Sequence, residues 1–451
     1  MTMRGRHGTV SRRKHASDGG WLVLVLALAL AFVVGSSFRT AAGRSVSVVL
    51  YYTDSATGEL IRTPTDAKLP TRLIEEVAGV IDLLRVPPAG QDLATVVPPG
   101  LTARRATLDA NGILRVGLGI GALQRPMGFA EENTLYWQLA NSFLSLPGVR
   151  SIELSVEGRP AGTFLSFVKT QRELGVNESM LERGQAVDLY FATTDGRMAV
   201  ESRTVPPGLT RSQLALQTMR ALMQGPAHSS LLPLPLGTDL LRGVTVSART
   251  ASVDFVSRVQ TLSMGAGEEQ RTLDMIVLTL TRLPGISRVR FLVAGNPVDV
   301  LFGHVDTSGP LFRLDGRVEA GTALTVYRLA DIDGEHLPVL TVIEKDPPLK
   351  GRNAMISSII AALASPAEGD SSLVPPQTSV TSMLLDTSTG TLHLALSMST
   401  VPEQLGQEAL MVEQLRLSLT EIPLVTSLRL TINGSVSFLP GGYYIGRLFA
   451  R

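Results

Sequence analysis

One stretch of this chain occurs three times, and that recurrence narrows the ways in which it can fold. The clearest copy, residues 268–298, reads EEQRTLDMIVLTLTRLPGISRVRFLVAGNPV. Leu273, Ile276, Val277 and Leu280 fall at helical spacing, which predicts an amphipathic helix over 268–282 with acids in its first turn and Arg282 near its last. Pro284-Gly285 stops the helix. Val289, Phe291 and Val293 then alternate with Arg288, Arg290 and Leu292 as a strand does, before a Gly295-Asn296 turn. Weaker copies run over residues 131–160 and 408–436, aligning Pro147 and Pro423 with Pro284, and Glu132 and Glu408 with Glu269. Upstream, SVVLYYT around Tyr51, AVDLYFAT around Tyr190 and ALTVYRL around Tyr327 fall into line as well. The spacing is roughly 140 residues, one domain per copy rather than a solenoid repeat.

The 451 residues suffice for three such domains, and the net charge of +1 supplies no argument for nucleic acid or an acidic substrate. Without cysteine there is no disulfide framework, thiol nucleophile or Cys-based zinc site. At the N-terminus a basic head (residues 1–18, with Arg4, Arg6, Arg12, Arg13 and Lys14) precedes an uncharged apolar stretch at 19–38 that begins with Trp21 beside its first glycines. This reads as a single transmembrane anchor, and the positive-inside rule puts everything after Arg39 outside the cytoplasm. A cleaved signal peptide is the rival reading, but neither Gly35-Ser36-Ser37 nor Thr40-Ala41-Ala42 is a good cleavage site.

In order, repeat one covers 45–168, a charged linker 169–185, repeat two 186–314 and repeat three 318–451. Each is expected to run β-β-α-β-β-α-β. Turns at Asn111-Gly112, Asp195-Gly196, Asp333-Gly334 and Thr389-Gly390 mark hairpins, and Thr71 and Thr210 are expected to cap helices. The predicted fold is α/β (α+β): three tandem small modules, each a sheet covered by two helices that bury single apolar stripes on it.

LYFATTDGRMAVESRTVP, ALMQGP, LPLGTDLL, ASVDFVS and the TLTRLPGISRVRFLVAGNPV segment together resemble the GerM domain, known from sporulation and germination proteins of endospore-forming bacteria and from other bacterial envelope proteins. The likeness is close over 186–301. Repeats one and three depart from it: residues 83–88 and 364–369 replace the Gly225-Pro226 helix end, and Arg328 replaces the second aromatic. The resemblance implies a small α/β module similar to ring-building domains of secretion and sporulation machines. Such modules associate with each other or with envelope partners.

No catalytic constellation emerges. His7, His15, His228, His304, His336 and His393 lack a second histidine at ligand spacing, so neither a metal nor a cofactor is expected. Gly117, Gly119 and Gly121 read as a glycine-rich strand rather than a phosphate loop. Glu132, Glu269 and Glu408 read as first-turn acids that complement the helix dipole. Asp254 with Glu269 as an acid pair fails, because Gly117 stands where repeat one should supply the aspartate. Tyr51, Tyr190 and Tyr327 read as core, with ligand stacking as the alternative. Tyr136 and Trp137 are adjacent on one helix, so one of them is expected to be exposed. Tyr443, Tyr444 and Phe449 lie in an apolar tail that either packs on repeat three or docks a partner. Candidate contacts to a partner or to wall glycan are therefore Trp137, Tyr443 and Tyr444. The chain reads as a non-enzymatic, single-pass, membrane-anchored scaffold of the cell envelope, able to self-associate and acting in sporulation or germination. A peptidoglycan-binding module is the alternative, and an envelope hydrolase a more distant one.

Overall fold

The computed structural model describes residues 43–121, 127–157, 164–166, 168, 174–175, 185–313, 318, 320–367 and 369–451. The basic head and the apolar stretch at 19–38 lie outside these residues. Among the described residues no helix is long and apolar enough to cross a membrane.

The three repeats form three modules of mixed α+β structure. Module one comprises β1 (Arg44–Asp54), β2 (Leu60–Leu69), α1 (Leu73–Leu84), β3 (Leu93–Ala94), β4 (Leu101–Leu108), β5 (Ile113–Ile120), α2 (Phe129–Leu144), β6 (Ser151–Val156) and β7 (Leu174–Gly175). Module two comprises β8 (Gln185–Thr193), β9 (Met198–Val205), α3 (Arg211–Met223), β10 (Leu231–Leu232), β11 (Leu241–Ser247), β12 (Thr250–Phe255), α4 (Ala266–Thr281), β13 (Arg288–Val293), β14 (Asn296–Pro297) and β15 (Leu311–Phe312). Module three comprises β16 (Ala323–Ile332), β17 (Glu335–Glu344), α5 (Arg352–Ala364), β18 (Ser379–Asp386), β19 (Thr391–Ser397), α6 (Leu405–Leu419), β20 (Ser427–Ile432) and β21 (Phe449–Ala450). The predicted element order is the skeleton, with short strands added to it. One of these, β7, falls within the stretch read as a linker and closes the sheet of module one on β6. The glycines of 117–121 run through β5 and its end, as a strand.

Each module builds two sheets, where the sequence reading expected one. The first hairpin (β1–β2, β8–β9, β16–β17) stands apart from a second sheet, in which a hairpin gains a parallel strand through the second helix: β5 with β6, β12 with β13, β19 with β20. The reason lies in how the first strand's outward edge is satisfied. Tyr51 donates its backbone N–H to Ser142 Oγ (3.1 Å), Tyr190 to Thr279 Oγ1 (3.0 Å) and Tyr327 to Ser418 Oγ (2.9 Å). A hydroxyl on the second helix thus takes, in all three modules, a bond that a neighbouring strand would otherwise make. The helix lies between the two sheets and packs on both.

Modules two and three share a sheet. Strand β9 pairs antiparallel with β17 at Ala199↔Val339 and Met198↔Leu340, giving the order β10-β8-β9-β17-β16. Both are second strands of their hairpins, so the pairing relates the two modules by an approximate twofold axis. Tyr327, Ile332, Val339, Leu340 and Leu417 of module three accordingly belong to the buried core of module two.

Module one docks differently. Leu60 donates its N–H at the start of β2 to Ser437 Oγ of module three (2.9 Å), Glu59 pairs with Arg429, and Phe438 enters the core of module one. Farther along β2, Pro64 offers no N–H, and charged Arg62, Asp66 and Lys68 are exposed, which blunts that edge against strand addition.

Candidate functional site

The recurring glutamates do more than face a helix dipole. Glu132, Glu269 and Glu408 are fully buried. Glu132 Oε1 accepts the backbone N–H of Leu165 (3.0 Å) and Val168 (2.9 Å), and its two oxygens share that of Ser166. Glu269 accepts from Phe302 (3.3 Å), His304 (2.8 Å) and Val305 (3.1 Å), and Glu408 from Gly441 and Tyr443. In every module a carboxylate on the second helix pins the loop that follows the last long strand, a charge-assisted contact to otherwise unpaired amides. These side chains are structural, and the dipole reading is corrected to this extent.

Polar chemistry concentrates instead in the joint between modules two and three. Two tyrosines from equivalent first strands, Tyr190 and Tyr327, touch hydroxyl to hydroxyl at 2.7 Å across the approximate axis. Arg313, just beyond β15, reaches both hydroxyls from Nη2 (2.8 and 2.9 Å). The same arginine grips Glu421 side-on, Nε to Oε2 at 2.7 Å and Nη2 to Oε1 at 2.6 Å, and gives Nη1 to the Leu278 carbonyl at 2.7 Å. Arg282 donates Nε to Asp188 Oδ2 (3.0 Å) and Nη1 to Glu421 Oε1 (3.3 Å). Arg416 donates Nη2 to both oxygens of Asp188 at 2.8 Å. Asp188, Arg282 and Arg313 belong to module two and Arg416 and Glu421 to module three, so the pairs Arg282–Glu421, Arg313–Glu421 and Arg416–Asp188 cross the joint, while Arg282–Asp188 lies within module two.

Burial alone would raise the pKa of Glu421, but the charge and hydrogen bonds of Arg313, with Arg282 beside it, hold it down at about 2. Burial would likewise raise that of Asp188, and Arg416 and Arg282 keep it below the usual carboxylate range. The Tyr327 hydroxyl is driven well above its ordinary value by burial and then by the Glu421 charge, so it stays protonated and can donate to Glu421 Oε1 (2.7 Å). The joint is thus a buried network of carboxylates and guanidinium groups around a tyrosine pair, with ion pairs that span the two modules. Two cavities flank it, a groove of about 720 Å³ that includes Asp188, Arg416 and Tyr443, and a pocket of about 450 Å³ that includes Arg313 and Glu421.

A second clasp sits at the rim. His228 of module two contacts Glu201 through Nδ1 (2.7 Å) and Glu335 of module three through Nε2 (3.2 Å), while Ser230 N–H donates to Asp333 (3.1 Å). Its hydrogen bond to Glu201 raises the His228 pKa, with Glu335 adding to the effect against a smaller opposing cost of burial. Arg203, on the far side of Glu201, is the nearby cation. A raised folded-state value means that this clasp contributes fully below the ordinary histidine pKa near 6.5 and is lost as pH rises through the raised value. Urea midpoints measured from pH 6 to 8.5 should therefore fall with pH in the wild type, and His228→Gln should flatten that part of the profile.

Among the described residues, no group of three histidine, aspartate or glutamate side chains could hold a metal ion. Of the predicted contacts, Trp137 corrects the expectation of an exposed aromatic: it is 2 % exposed and Tyr136 0 %. Helix α2 is covered on both of these faces. Trp137 stacks on Phe438 of module three (centroids 5.0 Å, 21°), and a Cβ added at Gly442 would stand 2.5 Å from its ring. Tyr136 packs on Phe164 at 5.2 Å. Trp137 therefore offers no open face to a sugar. Tyr444 is half-buried against Phe438 at 5.0 Å, and Tyr443 stacks on Phe449 at 6.3 Å along the wall of the larger groove. The tail of module three packs back on modules one and three, and Tyr443 lines the larger groove.

The sequence reading missed Asp188, Arg313, Arg416 and Glu421, and read Arg282 merely as a cation near a helix end. A signal was present. Arg282 and Glu421 stand at the same position, two residues before the shared proline, with opposite charges, and Arg313 and Arg451 both follow the final short strand of their modules.

The family described as "Germane: Sporulation and spore germination" matches this sequence at residues 49–162, 188–299 and 325–437, together well over half of it. The chain belongs to that family. Family membership relates it to sporulation and germination proteins, and each match falls on one structural module. Among solved structures, the chain is similar to the tandem GerMN domains of the sporulation protein GerM from Bacillus subtilis, at 19% identity and a TM-score of 0.43 over 59% of this chain and 98% of that one. A putative lipoprotein from Clostridium perfringens aligns at 27% identity and a TM-score of 0.22, covering 29% of this chain and 89% of that one. The first GerMN domain of the Bacillus subtilis protein alone gives 19% identity and a TM-score of 0.25, covering 29% of this chain and 98% of that one. Comparison with curated protein sequences finds no match.

Proposed function

We propose that this Germane-family protein is a non-enzymatic scaffold of the bacterial cell envelope, held by a single transmembrane anchor at residues 19–38, with its three modules outside the cytoplasm and serving sporulation or germination. The observation that carries the reading is the joint. Two modules of one kind associate through a continuous sheet, and the charged side chains between them are spent on mutual ion pairs. Family membership supplies the process, and the basic head before an uncharged stretch supplies the orientation.

The absence of cysteine makes a direct topological test available. Leu384 is 67% exposed on β18 and tolerates a reporter. In intact cells, Leu384→Cys in the full chain should react with a membrane-impermeant maleimide and fractionate with membranes. Labelling that appears only after permeabilisation contradicts the extracytoplasmic placement. Sedimentation of the same chain with purified wall sacculi decides between scaffold and glycan binder: saturable retention favours the wall, and its absence favours a protein partner.

A further inference from the structure

A strand at the rim of a sheet turns every second backbone N–H and C=O outward without a partner, and folds guard such rims with charge, proline or a covering side chain. The second sheet of each module ends on one: β4, β11 and β18. Arg104 and Arg105 stand on β4, and Arg85 bonds to the Leu101 carbonyl at its start. Arg242 stands on β11, where Val246 gives its N–H to Ser212 Oγ in the first turn of α3 (2.9 Å). Strand β18 has none of these guards. Residues 379–385 read SVTSMLL, without charge or proline, and Asn353 takes the place of Ser212 on α5. Among the described residues, the backbone of 379–385 bonds to β19 alone. The register shift between Val380 and Ser382 has counterparts on β4 and β11, so it belongs to the module and is no special guard of this rim.

The flank of this rim is uncharged as well. Helix α5, which packs against β18, carries no charge from Asn353 to Ala364, whereas α1 has Glu75, Glu76 and Asp82, and α3 has Arg211 and Arg220. Thr381, Ser382 and Leu384 are exposed, and Val380, Met383 and Leu385 are only partly buried against the core of module three. Such a surface offers nothing to a polyanion or an acidic peptide. It does match itself: antiparallel pairing of 379–385 with the same segment of a second copy sets no like charges opposite each other, and a net charge of +1 puts no barrier between copies. The chain already joins two of its own modules in this manner, where the equivalent strands β9 and β17 pair antiparallel about an approximate twofold axis.

We infer that β18 is the docking edge for a second copy of this chain, whose own β18 adds antiparallel to it and makes one continuous sheet of the two, with the α5 helices alongside. The inference deepens the scaffold reading, on which it rests for the shared membrane that brings copies together. A monomer would overturn it and leave intact a scaffold that docks other envelope proteins.

Sedimentation velocity of the full chain in detergent micelles, over a range of protein concentrations, tests the inference. A monomer–dimer equilibrium is expected, weakened roughly tenfold or more by Ser382→Glu with Leu384→Glu. Both positions are exposed and lie on the same face of β18 as Asp386, so the new carboxylates meet only like charge on the β18 of the second copy. Because the variant could alter folding, the wild-type chain provides a second readout. Hydrogen exchange of a peptide covering 379–386 should slow as protein concentration rises, while peptides of β4 and β11 exchange at a constant rate. A monomer at every concentration, as expected of an edge kept for another protein's strand, overturns the inference. So does a dimer indifferent to the two substitutions, or exchange of 379–386 that is independent of concentration.

Discussion

Replacing Glu421 with alanine is expected to lower the stability of the joined second and third modules by about 3–5 kcal/mol, because it strands a buried Arg313 and removes a partner of Arg282. Urea unfolding followed by far-ultraviolet dichroism measures the loss. Converting the pair together, Arg313→Met with Glu421→Leu, should recover most of it, since the cost lies in the orphaned charge rather than in the pair. The tyrosine pair makes recovery incomplete: Tyr190 and Tyr327 both lose the Arg313 donor, and Tyr327 also loses Glu421. The same carboxylate sets an acid limit. With its pKa lowered to about 2 in the fold, Glu421 contributes stability that is present above the usual carboxylate pKa near 4.5 and fades as pH falls toward 2. A double variant without the charges should lose that part of the acid transition.

Trp137→Ala should cost a comparable amount, roughly 3–5 kcal/mol, by opening a cavity between module one and the tail of module three. The effect has a location. Proteolysis should release module one from the rest of the chain, because Phe438 loses its stacking partner and its seat in the module one core. Affinity for wall sacculi, if there is any, should remain unchanged in the folded fraction, since the indole presents no free face. A variant of unaltered stability that had lost sacculus retention would show instead that the indole is used outside the fold.

Most of the local architecture was legible from sequence because it depends on short-range pattern. Helix α4 is marked by Leu273, Ile276, Val277 and Leu280, its end by Pro284-Gly285, and β13 by strict alternation. The turns at Asp195-Gly196 and Asp333-Gly334 likewise join β8 to β9 and β16 to β17. What failed depends on distance along the chain. Glu269 was visible as a repeated first-turn acid, yet its acceptor role comes from amides 302–305, brought back only by the closed module. Trp137 was misjudged because adjacent helical residues were assumed to face core and solvent in turn, whereas α2 is covered by its own module and by Phe438. Separation of the sheets was hidden in Ser142, Thr279 and Ser418, ordinary hydroxyls until the strand they cap is known. Each charged residue of the joint, taken alone, reads as a surface residue. Their pairing follows from the approximate twofold, which a one-dimensional repeat cannot reveal.

The account rests on modules two and three being one structural unit, joined through β9 and β17 over the buried network. Hydrogen exchange of the full chain, followed by mass spectrometry on peptides covering 198–200 and 339–340, tests this directly. The expected result is slow exchange of both peptides, opening together with the core peptides of α4 and α6 in the wild type, and a joint loss of protection in Glu421→Ala. Peptides that exchange independently and early, with the cores of the two modules still protected and Glu421→Ala without effect on them, would contradict the account.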